Sequence, residues 1–460
     1  MIRKNWWMFP SIFALALIIF HQSLSYYFFQ DDWFVLNWIR TGNLLSFFSF
    51  RTDIIYWRPL SMPIFFALAK SLFGLSPFGY HLIAFIFHLV NITLVYFLMI
   101  ELKFKKALAY FAALLWGTAA FHFVPLSWLS TTSYILGPTF IFSSIIFFLK
   151  SRFKFSFLFF ILGLLTSELS LTTIPLILVS DDKIRGKIKN LVPFLIAITP
   201  YLIARFIIFP LPANKDYAPL INSKVLVSLF WYFAWTFNVA ERFSTIFYLS
   251  TIKTAAGPFV DFFKLLIGPI FLMITFIVLI IASKIKMKII IRSAIWFLVG
   301  LSPVILLPKH TYAMYLTIAS IGIIYALTAA LGKIKKFQLG VVVIIAIVWF
   351  VSSLSTVNLL RTNHWVANEQ ATSKAYSAAI MGTVKNPPQG SIFVIRNPVG
   401  NFASKNGLTL SGSENTLYQS LNDGTAVQVL YNDSTLKSIF PTSQQRVETN
   451  TNQQVFEIEP

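Results

Sequence analysis

The chain has 460 residues, of which 57% are hydrophobic, 17% aromatic and only 12% charged. A water-soluble domain carries about 25% charged residues to cover its surface, so this composition excludes a soluble enzyme and points to a polytopic membrane protein. Lys and Arg number 37 against 17 Asp and Glu, a net charge of +20. These bases gather in short loops between apolar runs, which marks membrane orientation rather than a nucleic-acid partner.

No cysteine is present, which excludes disulfides, thiolate metal sites and cysteine nucleophiles. Arg3 and Lys4 precede the apolar run Trp6–Leu24, and no small-residue cleavage pattern follows. The run therefore reads as a retained first helix. Further apolar runs of spanning length lie near 78–100, 107–122, 133–149, 191–209, 264–283, 289–307, 312–331 and 339–357. The loops between them hold Lys103, Lys105 and Lys106; Lys150, Arg152 and Lys154; Lys183, Arg185, Lys187 and Lys189; Lys284, Lys286, Lys288 and Arg292; and Lys333, Lys335 and Lys336. With the N-terminus, they mark the cytoplasmic side.

A single helix over Ser156–Val179 would put two of those basic loops on opposite faces. The segment is therefore expected to turn at Thr166-Ser167-Glu168 and to form two short helices shielded by their neighbours. Counted as two passes, it gives an all-α membrane domain over 1–360 with about eleven crossings. The N-terminus is then cytoplasmic, and residues 25–77 and 210–264 are large external loops carrying interfacial helices. Within the first of these, Pro59–Phe73 is too short and too charged to cross. From Arg361 the composition turns to Asn, Thr, Ser, Gln and Gly. Ser391–Ile395 and Ala426–Leu430 read as strands, and Pro387-Pro388 and Asn422-Asp423-Gly424 as turns, so residues 361–460 read as a small extracytoplasmic β or α/β domain.

Ten of the 17 acids precede Arg361, and seven of those, Asp31, Asp32, Asp53, Glu168, Asp216, Glu241 and Asp261, fall outside on this topology. Asp31-Asp32 is the sharpest feature, because it follows the first helix directly and sits among interfacial rings. An acid pair at that depth is solvated, paired or used. Used, it is a general base or the ligand pair of a divalent cation, and the sequence leaves both open. Arg58, His81, Glu168, Arg205 and the pair Lys309-His310 fall on the same face. Each has a plain structural reading: Arg58 snorkels, His81 caps a helix, Arg205 pairs with Glu168, and Lys309-His310 is a wet loop. Together they suit an anionic phospholipid-type substrate and an acid–base step, with the cations on phosphate. His88 and Asn91, inside the second helix, read as interhelical hydrogen bonds. His21, His122 and His364 have no ligand spacing with other donors, so the sequence supports no metal site.

Several strings together carry a family likeness. They are Phe28–Asp32; Trp57–Leu60; Leu72–Leu82 with His88 and Asn91; Pro125–Leu129; Leu164–Ser170 with Pro175; and His310–Leu316 followed by Ser320–Gly322. Their order over residues 5–335 resembles the GT-C superfamily of polyprenyl-phosphate-sugar-dependent glycosyltransferases, near the protein O-mannosyltransferases and their tetratricopeptide-bearing relatives. The resemblance implies an integral glycosyltransferase of the plasma (inner) membrane. Such an enzyme moves a sugar from a polyprenyl phosphate to a hydroxyl of a protein, lipid or glycan acceptor on the outer face, with inversion. It places the catalytic carboxylate or metal ligand on Asp31 and Asp32, and lipid-phosphate contacts on Arg58, Arg205 and His310. Thr311 stands where relatives carry an arginine beside the tyrosine, Ser167 stands where many carry a lysine, and the C-terminal region has no tetratricopeptide repeat. Two other functions remain open on sequence: a transporter or flippase of lipid-linked sugars, and a non-catalytic scaffold displaying residues 361–460.

Overall fold

The computed structural model describes residues 8–51, 54, 56–182, 184–208, 219–244, 263–334, 336–396, 415–441 and 454–458. Of the external acids, Asp53, Asp216 and Asp261 lie outside the described residues. Among the described residues, four helices are long and apolar enough to cross a membrane: Pro77–Glu101, Leu129–Leu149, Ala313–Leu331 and Gln338–Asn363. Lys106–Gly117 and Ala120–Ser127, bent by 49° at Thr118, form a fifth candidate if taken as one span. The chain is a helical membrane protein with a small C-terminal sheet.

The other expected crossings appear as shorter apolar helices, among them Phe9–Ser25, Phe153–Leu164, Glu168–Ser180, Ile188–Ile203 and Ile267–Ala282. A helix of about 12 residues reaches about 18 Å, short of an apolar layer of about 30 Å. The described helices of spanning length are therefore fewer than eleven. Between Phe153–Leu164 and Glu168–Ser180 the helix breaks as expected: Ser167 is extended, and its hydroxyl accepts from the Leu169 N–H at the start of the 3-10 turn Glu168–Thr172. Pro59–Phe73 becomes one apolar helix, Leu60–Phe73, opening on a π-helical turn around Pro63.

His88 and Asn91, inside the bundle, bond neighbouring backbone, as apolar surroundings favour. His88 reaches the Gly117 carbonyl at 2.8 Å, and the Asn91 amide donates to the Ile135 carbonyl at 2.7 Å while accepting from Thr139 at 2.7 Å. The helix Met287–Leu301 lies tightly on Leu316–Leu331. A Cβ added at Gly300 would fall 2.6 Å from the Ala319 Cα, and one at Gly322 would fall 2.5 Å from the Ser293 carbonyl oxygen.

The long helices have two chemically different ends. Leu129–Leu149 runs to Lys150, Ala313–Leu331 runs to Lys333, and Gln338–Asn363 begins just after Lys336. At this basic end the acids are neutralised: Glu101 faces Lys150 at 3.6 Å, Asp181 faces Lys187 at 2.8 Å, and Asp182 bridges Lys288 at 2.7 Å and Arg292 at 2.5 Å. At their other ends the same three helices converge around residues 129–134, 313–315 and 363.

Beyond Asn363 the helix Trp365–Thr383 leads into a parallel three-stranded sheet in the order β2-β1-β3, where β1 is Ile392–Ile395, β2 Lys437–Ile439 and β3 Val455–Ile458. Parallel neighbours need a crossover, and Asn415–Ser420 and Thr425–Leu430 lie on the connection from β1 to β2. The expected strand Ala426–Leu430 is thus a helix. Asn422, Asp423 and Gly424 all have positive φ and turn the chain sharply into it, and Ala426, Val427 and Val429 then share one buried helical face rather than alternating.

Candidate functional site

A cavity of about 430 Å³ opens where the long helices converge. It is lined by Gln30, Asp31, Tyr56, Arg58, Trp128, Ser130, Tyr134, His310, Tyr312, Tyr315, Trp365 and Glu369 among others. Three stretches far apart in sequence, which sequence reading put on one face, meet here: the acid loop, the arginine of Trp57–Leu60, and the loop before Ala313–Leu331. The helix Trp365–Thr383 completes the wall.

Asp31 and Asp32 start the helix Asp31–Thr41, where carboxylates suit the unsatisfied N–H groups and the dipole. Consecutive helical residues point about 100° apart, so the two acids have different surroundings. Asp32 is 0% exposed. It accepts from the Ser130 N–H at 2.8 Å, the Ser130 hydroxyl at 2.6 Å and the Phe29 N–H at 3.3 Å. Burial pushes its pKa up to about 7 against the pull of those donors. Asp31 is half-buried on the cavity wall, and no hydrogen-bond donor holds it among the described residues. Burial raises its pKa, and the Arg58 charge partly offsets that.

The loop before this helix is strained. Gln30 has φ 49° and ψ −124°, in a region L-residues rarely adopt. The C-terminal unit holds it there: the Gln30 N–H donates to the Ser420 carbonyl at 3.1 Å and its amide donates to Glu369. On either side, the Tyr27 N–H reaches Gln370 at 3.2 Å and the Trp33 indole reaches Ser373 at 2.9 Å. Glu369 is pushed up to about 7 by burial, with the Asp31 charge adding to the rise.

Arg58 is buried and gripped. Its Nε donates to Glu168 at 2.8 Å, a second bond runs from Nη2 to the same carboxylate, and the guanidinium lies 4.2 Å from the Tyr56 ring centre. Burial lowers its proton affinity, but the Glu168 charge and hydrogen bond together with Tyr134 and Tyr56 outweigh that and hold it well above its ordinary value. Glu168 thus meets Arg58, a pairing that sequence reading did not make. Arg205 lies in the π-helical turn Ala204–Ile208, and its side chain is outside the described residues. His310 is on the cavity wall, its ring 4.7 Å from that of Tyr312. His81 is not on the wall. Its ring is buried, and Nδ1 bonds the Leu126 carbonyl at 2.9 Å, which ties the start of Pro77–Glu101 to the segment before Trp128.

The residues do not fit an adjacent-carboxylate metal clamp. Both Asp32 oxygens are engaged by Ser130 and Phe29, and among the described residues no three His, Asp or Glu side chains gather to hold a cation. The wall residues that sequence reading missed are Gln30, Trp128, Ser130, Tyr134, Trp365 and Glu369. Gln30 stood inside the string Phe28–Asp32 and Trp128 inside Pro125–Leu129, the signals available; Glu369 lay among the C-terminal acids and carried none.

No protein-family model matches the chain, and no curated protein matches it. Among solved structures it is similar to the archaeal oligosaccharyltransferase AglB from Archaeoglobus fulgidus in complex with an inhibitory peptide and a dolichol-phosphate, at 14% identity and a TM-score of 0.45. The likeness covers 91% of this chain and 64% of that one, so the chain spans less than two thirds of that protein's length.

Proposed function

We propose that the protein is an integral membrane glycosyltransferase that moves a sugar from a polyprenyl phosphate to an acceptor hydroxyl, with Asp31 as the general base. The observation that carries this reading is Asp31 itself: a carboxylate that no hydrogen-bond donor among the described residues holds, on the wall of a cavity at the membrane helices' end, with a raised proton affinity. A raised proton affinity makes the ionised carboxylate a stronger base. In the proposed step Asp31 takes the acceptor's hydroxyl proton while that oxygen attacks the anomeric carbon opposite the phosphate. The carbon–oxygen bond to phosphate breaks and the configuration inverts. His310 and Arg58 share the cavity wall with Asp31 and are the side chains we place toward the departing phosphate, with part of the Arg58 charge already spent on Glu168. Asp32 fixes the acid loop and does not take the acceptor's proton.

The basic loops and the cavity lie at opposite ends of three long helices. Under the positive-inside rule this supports a cytoplasmic N-terminus and an outward-facing cavity in the plasma membrane, while the count of about eleven crossings rests on the apolar runs of the sequence alone. The test is transfer from a panel of polyprenyl-phosphate sugars by membranes holding the wild type or Asp31→Asn at equal expression. Loss in the variant with donor binding kept is expected, and transfer at the wild-type rate by Asp31→Asn sinks the mechanism.

A further inference from the structure

One wall of the cavity has its own chemistry. Trp128 and Trp365 meet at right angles, with ring centres 5.1 Å apart and planes at 84°, and the buried Phe29 ring stacks on Trp128 at 5.7 Å. Trp365 and Glu369 are four apart on one helix and so project from the same face. Gln30 donates to Glu369, and Asp31 follows Gln30. The result is a flat apolar corner edged by two carboxylates and an amide.

A sugar ring has the complementary form: C–H faces that lie on indole, and a rim of hydroxyls that donate to carboxylates. The carboxylates disfavour a phosphate at this corner, and a prenyl chain has no use for them. We propose that Trp128, Trp365, Gln30 and Glu369 form a sugar-ring subsite, half of it supplied by the helix that follows the membrane domain. Its place beside Asp31 rests on the glycosyl-transfer reading above, whereas its ring-binding chemistry does not. The ring comes from the donor or from a glycan acceptor.

Purified full-length protein in nanodiscs is titrated with methyl glycosides of glucose, mannose, galactose and N-acetylglucosamine, and with choline as a cationic probe, by saturation-transfer NMR. At least one glycoside should receive saturation on its ring C–H protons. Trp365→Ala should weaken that binding about tenfold while Trp365→Phe keeps most of it, and Glu369→Gln should weaken it by less. Absence of binding by every glycoside, binding untouched by Trp365→Ala, or choline binding in their place overturns the proposal. In the transfer assay, a rise in KM confined to the acceptor makes the ring an acceptor sugar, and a rise confined to the donor makes it the donor's. Transfer with no glycoside binding fells the subsite and leaves the reaction. Trp365-dependent binding without transfer from any donor does the reverse.

Discussion

Asp31 and Asp32 are neighbours in sequence, yet one faces a cavity and the other is sealed beneath Ser130 and Phe29. Their substitutions should therefore separate. Asp31→Asn is expected to cost about 10²–10⁴ in transfer rate, the range of a positioned base, with thermal unfolding unchanged. The wild-type rate should rise with pH through a midpoint above the ordinary carboxylate range, because the base acts only when ionised. Asp32 titrates at about 7 folded, against its ordinary 3.8. The folded chain thus holds an extra proton between those values, and this contribution to stability is full below about pH 4 and lost as pH rises through about 7. Asp32→Asn should flatten that part of the stability profile, and an unchanged slope would show that Asp32 does not titrate there. Glu168→Gln leaves a buried guanidinium without its counter-charge. It should cost about 3 kcal/mol, the low end for a broken buried pair because Glu168 itself is 30% exposed. Chemical denaturation in detergent reads this directly.

Helix contacts rather than side-chain chemistry set where the cavity walls stand. Ala313–Tyr315 brings Tyr315 to the wall at the start of Leu316–Leu331, and that helix is held against Met287–Leu301 by two glycines. Hydrogen bonds from the Ser293 hydroxyl to the Gly322 carbonyl at 2.7 Å and from the Trp296 indole to the Ile318 carbonyl at 3.1 Å add to the contact. The methyl group of Gly322→Ala would meet backbone, which cannot swing aside. This substitution should destabilise the bundle by about 1–3 kcal/mol, whereas Gly340→Ala, with open space around it, should not. Equal melting temperatures for the two variants would refute the close contact. At the other edge of the same loop, Glu241 accepts from the Ala313 N–H at 3.3 Å and lies 3.9 Å from His364. One carboxylate thus holds the loop and lies beside the start of the C-terminal unit.

At the scale of the molecule, the C-terminal unit and the membrane helices build one cavity. The strained Gln30 is held by Ser420 and Glu369, so the acid loop keeps its shape only with that unit in place. A chain ended after Asn363 should still insert in membranes but lose transfer, as measured in the same membranes. Transfer by the shortened chain would show that the acid loop is self-supporting.

Apolar run length, basic loops and the break at Thr166-Ser167-Glu168 were legible in the sequence because each follows from local composition acting against a bilayer. The chain's own residues also singled out Asp31, Arg58 and His310, which share the cavity wall, and Asp32, which does not, since charge beside interfacial rings is costly wherever it stands. Which aspartate faces the cavity, that Glu168 rather than a cavity ligand grips Arg58, that His81 serves a backbone carbonyl, and that Glu369 and Trp365 close the wall were decided by tertiary structure alone. Each depends on the direction of a side chain or on contact between segments more than 40 residues apart. Local pattern sets how much chain lies in the apolar layer, while only the packing of helix ends sets which groups share one volume of space.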